Sequence, residues 1–234
     1  MKELFIKLLD LRCLLCNSPL KNRSQCSICD SCYNEITSCK TLYCNKCAEK
    51  LYSDTKCSCS KKSRSSIDSF KFIANYEGRG KQLVLSLKKQ GNAQLLSVYN
   101  RLIIDHLDKD IPVMIVPDNL ITKYFRGNAS LENGLGRLLK QNGFTVIKGF
   151  IHKASFAKKQ KLSHIKERVQ NAQKNFTSKK QNPSHNKSIQ LIDDIYTTGS
   201  TINRCASLLT KLGYTNISAL TIFRTPFYEL GLDN

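Results

Sequence analysis

From residue 70 onward, apolar positions alternate between two spacings. "FKFIANYEG" (70–78) is rich in aromatic and aliphatic residues and ends in Gly78, which predicts a strand and a turn. "KQLVLSLKKQG" (81–91) places Leu83, Val84 and Leu87 at helical intervals, with Lys88, Lys89 and Gly91 as a stop signal. "AQLLSVYNRLIIDHL" (93–107) predicts an amphipathic helix, and "IPVMIVP" (111–117) a short buried strand. A helix over 130–143 and a strand over 144–151 follow. The chain then runs through a strand at 188–193, a helix at 200–213 and a closing strand at 216–225.

Strands alternating with helices predict an α/β domain around a parallel sheet. Ligands of such sheets bind outside the C-terminal ends of the strands. The first 60 residues lack this rhythm and are dominated by polar residues and cysteine. "SKKSRSS" (60–66) carries no large apolar side chain and reads as a linker. The expected organisation is a Cys-rich module over 1–62 and an α/β domain over 68–234.

With 234 residues there is room for one ordinary domain and a small one. The absence of any run of 18 apolar residues argues against a membrane span. Lys7, Asp10 and Arg12 interrupt the apolar start, and no small-residue cleavage site follows, so no signal peptide is read and a cytoplasmic location is expected. The formal charge of +19 (37 basic minus 18 acidic residues) calls for an anionic partner or a highly soluble surface.

Ten of the eleven cysteines lie between Cys13 and Cys59. Cys13/Cys16, Cys29/Cys32 and Cys44/Cys47 are C-x-x-C pairs, Cys57/Cys59 is a C-x-C pair, and Cys26 and Cys39 fall between. Two-residue spacing lets both thiolates of a pair reach one tetrahedral Zn²⁺. In a reducing compartment these pairs read as zinc ligands rather than disulfides. Four pairs would fill two sites, or one site with the remaining pairs degenerate. Structural Zn²⁺ would also stabilise a segment too small for a core of its own. Cys205 falls in a predicted helix, where a small buried hydrophobe is expected.

"QLIDDIYTTGSTI" (190–202) ends an apolar strand with Asp193 and Asp194 and continues into Thr197, Thr198, Gly199, Ser200 and Thr201. The turn from strand to helix exposes backbone amides at the positive end of a helix dipole, and the hydroxyls add donors. These features suit a phosphate. The pattern is not the G-x-x-x-x-G-K-[ST] loop of nucleotide hydrolases. The two acids suit vicinal sugar hydroxyls and a hydrated Mg²⁺. A phosphate beside a diol describes a ribose 5-phosphate. The alternative is that the acids only cap the following helix.

"LIDDIYTTGST" resembles the phosphoribosyl-pyrophosphate (PRPP) signature of type I phosphoribosyltransferases. Together with the cysteine pairs, nearly the whole chain resembles the ComF family of competence proteins, which join a zinc-knuckle module to a phosphoribosyltransferase-like domain. Further matches are Tyr76, Gly78, Lys88 and Gly91; "VP" at 116–117 followed by "RG" at 126–127; and Gln160, Arg168, Asn171 and Phe176. The resemblance implies a fold of phosphoribosyltransferase type and a PRPP–Mg²⁺ pocket. Asp193 and Asp194 would meet the ribose hydroxyls, Thr197–Thr201 the 5-phosphate, and Lys88 and Arg126 the pyrophosphate. It also implies DNA uptake in transformation, with single-stranded DNA and other competence proteins as partners.

Two departures stand out. The family's R-G-F-N-Q is "RGNAS" here, which points to a weaker pyrophosphate loop or to binding without efficient turnover. Thr197 stands where purine-salvage enzymes of this type often carry an acid, which disfavours purine salvage. The densest basic stretch, 153–187, holds nine Lys, one Arg and one Glu. Lys158, Lys159, Lys161, Lys166 and Arg168 are its candidate phosphate-backbone contacts, with a solvated helix face as the alternative. Three functions compete: a ComF-type DNA-handling protein, a metabolic phosphoribosyltransferase with a non-purine acceptor, and a binding module without activity.

Overall fold

The computed structural model describes residues 11–20, 27–38, 43–44, 51, 57, 66–118, 124, 127, 130–153, 176–178 and 187–226. Within them lies a five-stranded parallel sheet in the order β1–β7–β6–β2–β3. Its strands are β1 (Ser69–Asn75), β2 (Val113–Ile115), β3 (Val146–Ile147), β6 (Ser188–Tyr196) and β7 (Asn216–Arg224). A separate antiparallel pair is formed by β4 (Ile151–Lys153) and β5 (Phe176–Ser178). The helices are α1 (Asp30–Thr37), α2 (Gly78–Gln90), α3 (Leu96–Ile103), α4 (Gly136–Gln141) and α5 (Ser200–Lys211). The α/β class expected from the alternating pattern is present. None of the described helices is long and apolar enough to cross a membrane.

Each face of the sheet has its own core. Ile192, Leu220 and Ile222 pack with Leu83, Val84 and Leu87 of α2, with α3, and with Leu139 of α4. On the opposite face Ile189, Leu191, Ile217 and Ala219 pack with Ile202, Cys205, Ala206 and Leu209 of α5. Period-two alternation along β6 and β7 thus feeds both layers. Cys205 is fully buried in α5. The first core also contains Cys13, Leu20, Ile28, Cys32 and Ile36, so the thiol-bearing segment packs on α2 and α3 through shared apolar contacts.

Three predicted elements differ in detail. The 93–107 helix divides into a 3₁₀ turn (Ala93–Leu95), α3 and a second 3₁₀ turn (Ile104–His106). The 130–143 helix opens as a π-helical turn over Leu131–Leu135 before becoming α4. The 144–151 strand breaks at Gly149, whose φ of +86° turns the chain out of the main sheet into β4. By contrast, α2 ends as its sequence predicts, with Gly91 in the left-handed cap conformation and Lys88 and Lys89 in the last turn.

Strand β6 is central. From β2 the chain moves outward to β3 through α4, and from β6 it moves outward the other way to β7 through α5. The C-terminal ends of β2 and β6 therefore flank a topological switch point, where open α/β sheets leave a crevice.

Candidate functional site

The acidic doublet lies inside β6, not beyond it: the strand runs through Tyr196, and Asp193 pairs with Thr221 of β7. Asp193 Oδ1 accepts the Asp194 N–H at 2.8 Å. Asp194 forms an ion pair with Lys88 from the last turn of α2. The side chains of Lys88 and Asp194 keep 34% and 17% of their surface exposed, so the pair faces the crevice without being sealed from it.

Two carboxyls this close do not titrate alike. Burial, reinforced by the charge of Asp194, raises Asp193 to about 8, against weaker pulls from Lys88 and Lys153. Burial also opposes ionisation of Asp194, but the Lys88 ammonium and its hydrogen bond hold that carboxyl below the usual range. At neutral pH the pair shares one negative charge, matched by one ammonium.

A pH dependence follows. Between about pH 4 and pH 8 the unfolded chain has released the Asp193 proton and the folded chain retains it. Stability therefore falls as pH rises across that window and flattens above it. The slope is at most about 1.4 kcal/mol per pH unit, reduced by the water that still reaches the pair. Carboxyl ¹³C shifts across pH 5–10 should show one group of the doublet titrating near 8; two ordinary carboxylates would contradict this account.

The loop after β6 has the expected donors. Asp193, Ile195, Tyr196, Thr197, Gly199, Ser200, Thr201 and Ile202 line a small cleft. The Thr198 hydroxyl lies 3.0 Å from Ser200 Oγ and accepts the Ser200 N–H at 3.4 Å. Helix α5 starts from Gly199 with no side-chain cap, so the doublet does not serve as one. Its first-turn residues Ser200, Thr201 and Ile202 line the cleft at the positive end of the helix dipole.

Gly199 is required twice over. Its φ is +73°, and a Cβ there would lie 2.7 Å from Tyr196 Cζ. The Tyr196 ring cannot readily yield, because its centroid is 4.6 Å from that of Phe70 and the Arg224 guanidinium lies 5.1 Å from it. Gly199→Ala is expected to cost about 1–3 kcal/mol and to deform the loop. A thermal midpoint equal to that of the wild type would show that the loop has another conformation open to it.

Sequence reasoning missed several residues here. Arg224 is 4% exposed at the end of β7, level with Tyr196, and places a positive charge beneath the loop. Its only sequence signal was an arginine closing an otherwise apolar strand. Glu132 is 6% exposed and accepts the Asp118 N–H at 3.2 Å, at the C-terminal end of β2. Nothing in the one-dimensional pattern set it apart. Arg126, Lys158, Lys159, Lys161, Lys166 and Arg168 lie outside the described residues.

The second constellation is built from thiols. Sulfurs of Cys13, Cys16, Cys29 and Cys32 all lie within 4.8 Å of one another. Cys13 Sγ is 3.8 Å from Cys32 Sγ, and Cys16 Sγ is 3.6 Å from Cys29 Sγ. Four sulfurs at about 2.3 Å from one tetrahedral Zn²⁺ lie about 3.8 Å apart along each edge, so the cluster fits that ion. The first pair comes from the turn before Asn17, whose φ is +62°; the second comes from the start of α1. The hydroxyl and backbone of Ser18 lower Cys16 to about 6, whereas burial raises Cys29 and Cys32. Metal binding must therefore displace protons. Cys44 and Cys57 are described, but Cys47 and Cys59, the partners assigned to them by sequence, fall outside the described residues. No protein-family model matches the chain, and no curated protein matches it.

Proposed function

We propose that the crevice at the end of β6 binds a ribose 5-phosphate group, with PRPP as the ligand that fits best, in a ComF-type protein that handles single-stranded DNA. The observation carrying this reading is the order of chemistry at the switch point. Two carboxyls lie near the C-terminal end of the central strand, and a hydroxyl-and-amide loop leads directly from it into the start of α5 at Gly199. Ionised Asp194 accepts from a sugar hydroxyl, and protonated Asp193 can both donate and accept. The loop amides and the α5 dipole receive the phosphate. Lys88 supplies the positive charge nearest the doublet. Mg²⁺ enters this proposal as counter-ion to the pyrophosphate, a role its charge suits.

The Cys13–Cys16–Cys29–Cys32 cluster serves as a structural Zn²⁺ site in this reading. All four coordination positions are taken by protein sulfur, which leaves none for a substrate. The net charge of +19 supports an extended anion as the second partner.

Calorimetry with PRPP, ribose 5-phosphate and inorganic phosphate tests the pocket. Affinity should rank in that order, and equal affinity for all three would leave only an anion site. A single-strand binding assay at several salt concentrations tests the DNA reading. Each neutralised phosphate should add about 0.7 to the log–log slope. A flat salt profile would remove the electrostatic basis for DNA as a partner.

A further inference from the structure

A continuous set of contacts joins the thiol cluster to the acidic doublet, and helix α2 is its middle section. The Leu15 N–H donates to Cys13 Sγ at 3.4 Å. The carbonyl of the same Leu15 accepts from Arg79 Nη1 at 3.3 Å. Arg79 is the second residue of α2. Its Nε lies 3.5 Å from Glu35 Oε2, and its backbone N–H donates to Glu35 Oε1 at 3.3 Å. Glu35 stands three residues beyond Cys32 on α1. One guanidinium therefore grips both halves of the cluster: the turn carrying Cys13 and Cys16, and the helix carrying Cys32.

The close approach is built into the backbone. Gly78 has a φ of +47°, and a Cβ there would lie 3.0 Å from Glu35 Oε1. At Gly80 a Cβ would lie 2.8 Å from both Asn75 O and the Phe223 ring. The first turn of α2 is thus clamped between the cluster and the sheet. Nine residues on, about 14 Å along the helix, Lys88 meets Asp194. Leu83, Val84 and Leu87 bury the helix between these two ends, so it moves as one body.

The geometry points to Arg79 as a positioning residue that ties metal occupancy of the thiol cluster to the ligand crevice, by fixing α2 and hence Lys88 against Asp194. The ligand arm of this inference rests on the ribose 5-phosphate reading above. By linkage, metal in the cluster raises ligand affinity, and ligand in the crevice raises metal affinity by the same factor.

Hydrogen exchange resolved by mass spectrometry tests the inference on the zinc-loaded full chain. Arg79→Met with full zinc content should exchange severalfold faster over 191–199, and adding Lys88→Met should change that rate no further. Ribose 5-phosphate affinity should drop about 5- to 10-fold in either variant, without addition in the double variant. Unchanged exchange over 191–199 in zinc-replete Arg79→Met, or additive effects of the two substitutions, would overturn the coupling. If Arg79→Met does not hold zinc, Glu35→Gln is judged by the same exchange criterion. If the wild type shows no heat with ribose 5-phosphate, the ligand reading fails, and the exchange result still decides the coupling.

Discussion

Extraction of metal from the Cys13–Cys16–Cys29–Cys32 cluster is expected to melt α1 and the preceding turn and to lower the thermal midpoint of the chain. Cys13 and Cys32 are 3% and 2% exposed, so the cluster is partly sealed from water. Structural Zn²⁺ in small modules contributes about 10–16 kcal/mol of apparent binding energy. That is as large as the whole folding stability of an ordinary domain, about 5–15 kcal/mol. The effect should not stop at the module, because Ile28 and Ile36 share a core with Leu83, Val84 and Leu102. Losing the module exposes that side of α2 and α3. Thermal unfolding with and without a strong chelator, alongside Cys32→Ala, measures this. Chelation and Cys32→Ala should give similar large losses, whereas Cys205→Ala should retain the metal. Identical midpoints with and without chelator would show that the cluster holds no structural ion. Metal affinity should also weaken on acidification, since the thiols of Cys29 and Cys32, both raised by desolvation, must give up protons to bind.

Asp193→Asn combined with Asp194→Asn is expected to weaken binding of ribose 5-phosphate compounds sharply. Hydrogen bonds to charged groups are worth about 1.5–3 kcal/mol each. Losing the one ionised acceptor, Asp194, should weaken binding by about 10- to 100-fold. The double amide also removes the negative charge that repels an incoming phosphate and leaves the Lys88 ammonium uncompensated by Asp194. Free inorganic phosphate should therefore bind the double variant at least as well as the wild type. That contrast separates loss of the diol contact from general collapse of the loop. Calorimetry with both ligands gives the answer, and unchanged affinity for ribose 5-phosphate would end the assignment of the doublet.

Much of this was legible in one dimension because the relevant spacings are short. C-x-x-C fixes two sulfurs on one turn, so the pairs Cys13/Cys16 and Cys29/Cys32 could be named before any fold was known. The run from Leu191 to Thr201 places acids, hydroxyls and glycine in the order that a strand–turn–helix requires. Helix α2 ended at Gly91 because its stop signal is local. Which two cysteine pairs come together was not local. Four pairs left several combinations open, and only the packing of α1 against the preceding turn selected one.

Pairing between distant segments decided the rest. The resemblance places Lys88 at the pyrophosphate, and the fold adds its pairing with Asp194, more than a hundred residues away. Arg79 and Glu35 carried no signal, since a charged residue beside a glycine and another on a short polar helix are ordinary. The sequence by itself determined the alternation of the sheet, the thiol pairs and the composition of the loop, because each depends on residues within one or two turns of each other. Only the tertiary structure decided that the doublet meets one lysine, and that the helix bearing this lysine is anchored on the turn carrying Cys13 and Cys16. Those properties come from burial and from the meeting of chain segments that no local pattern records.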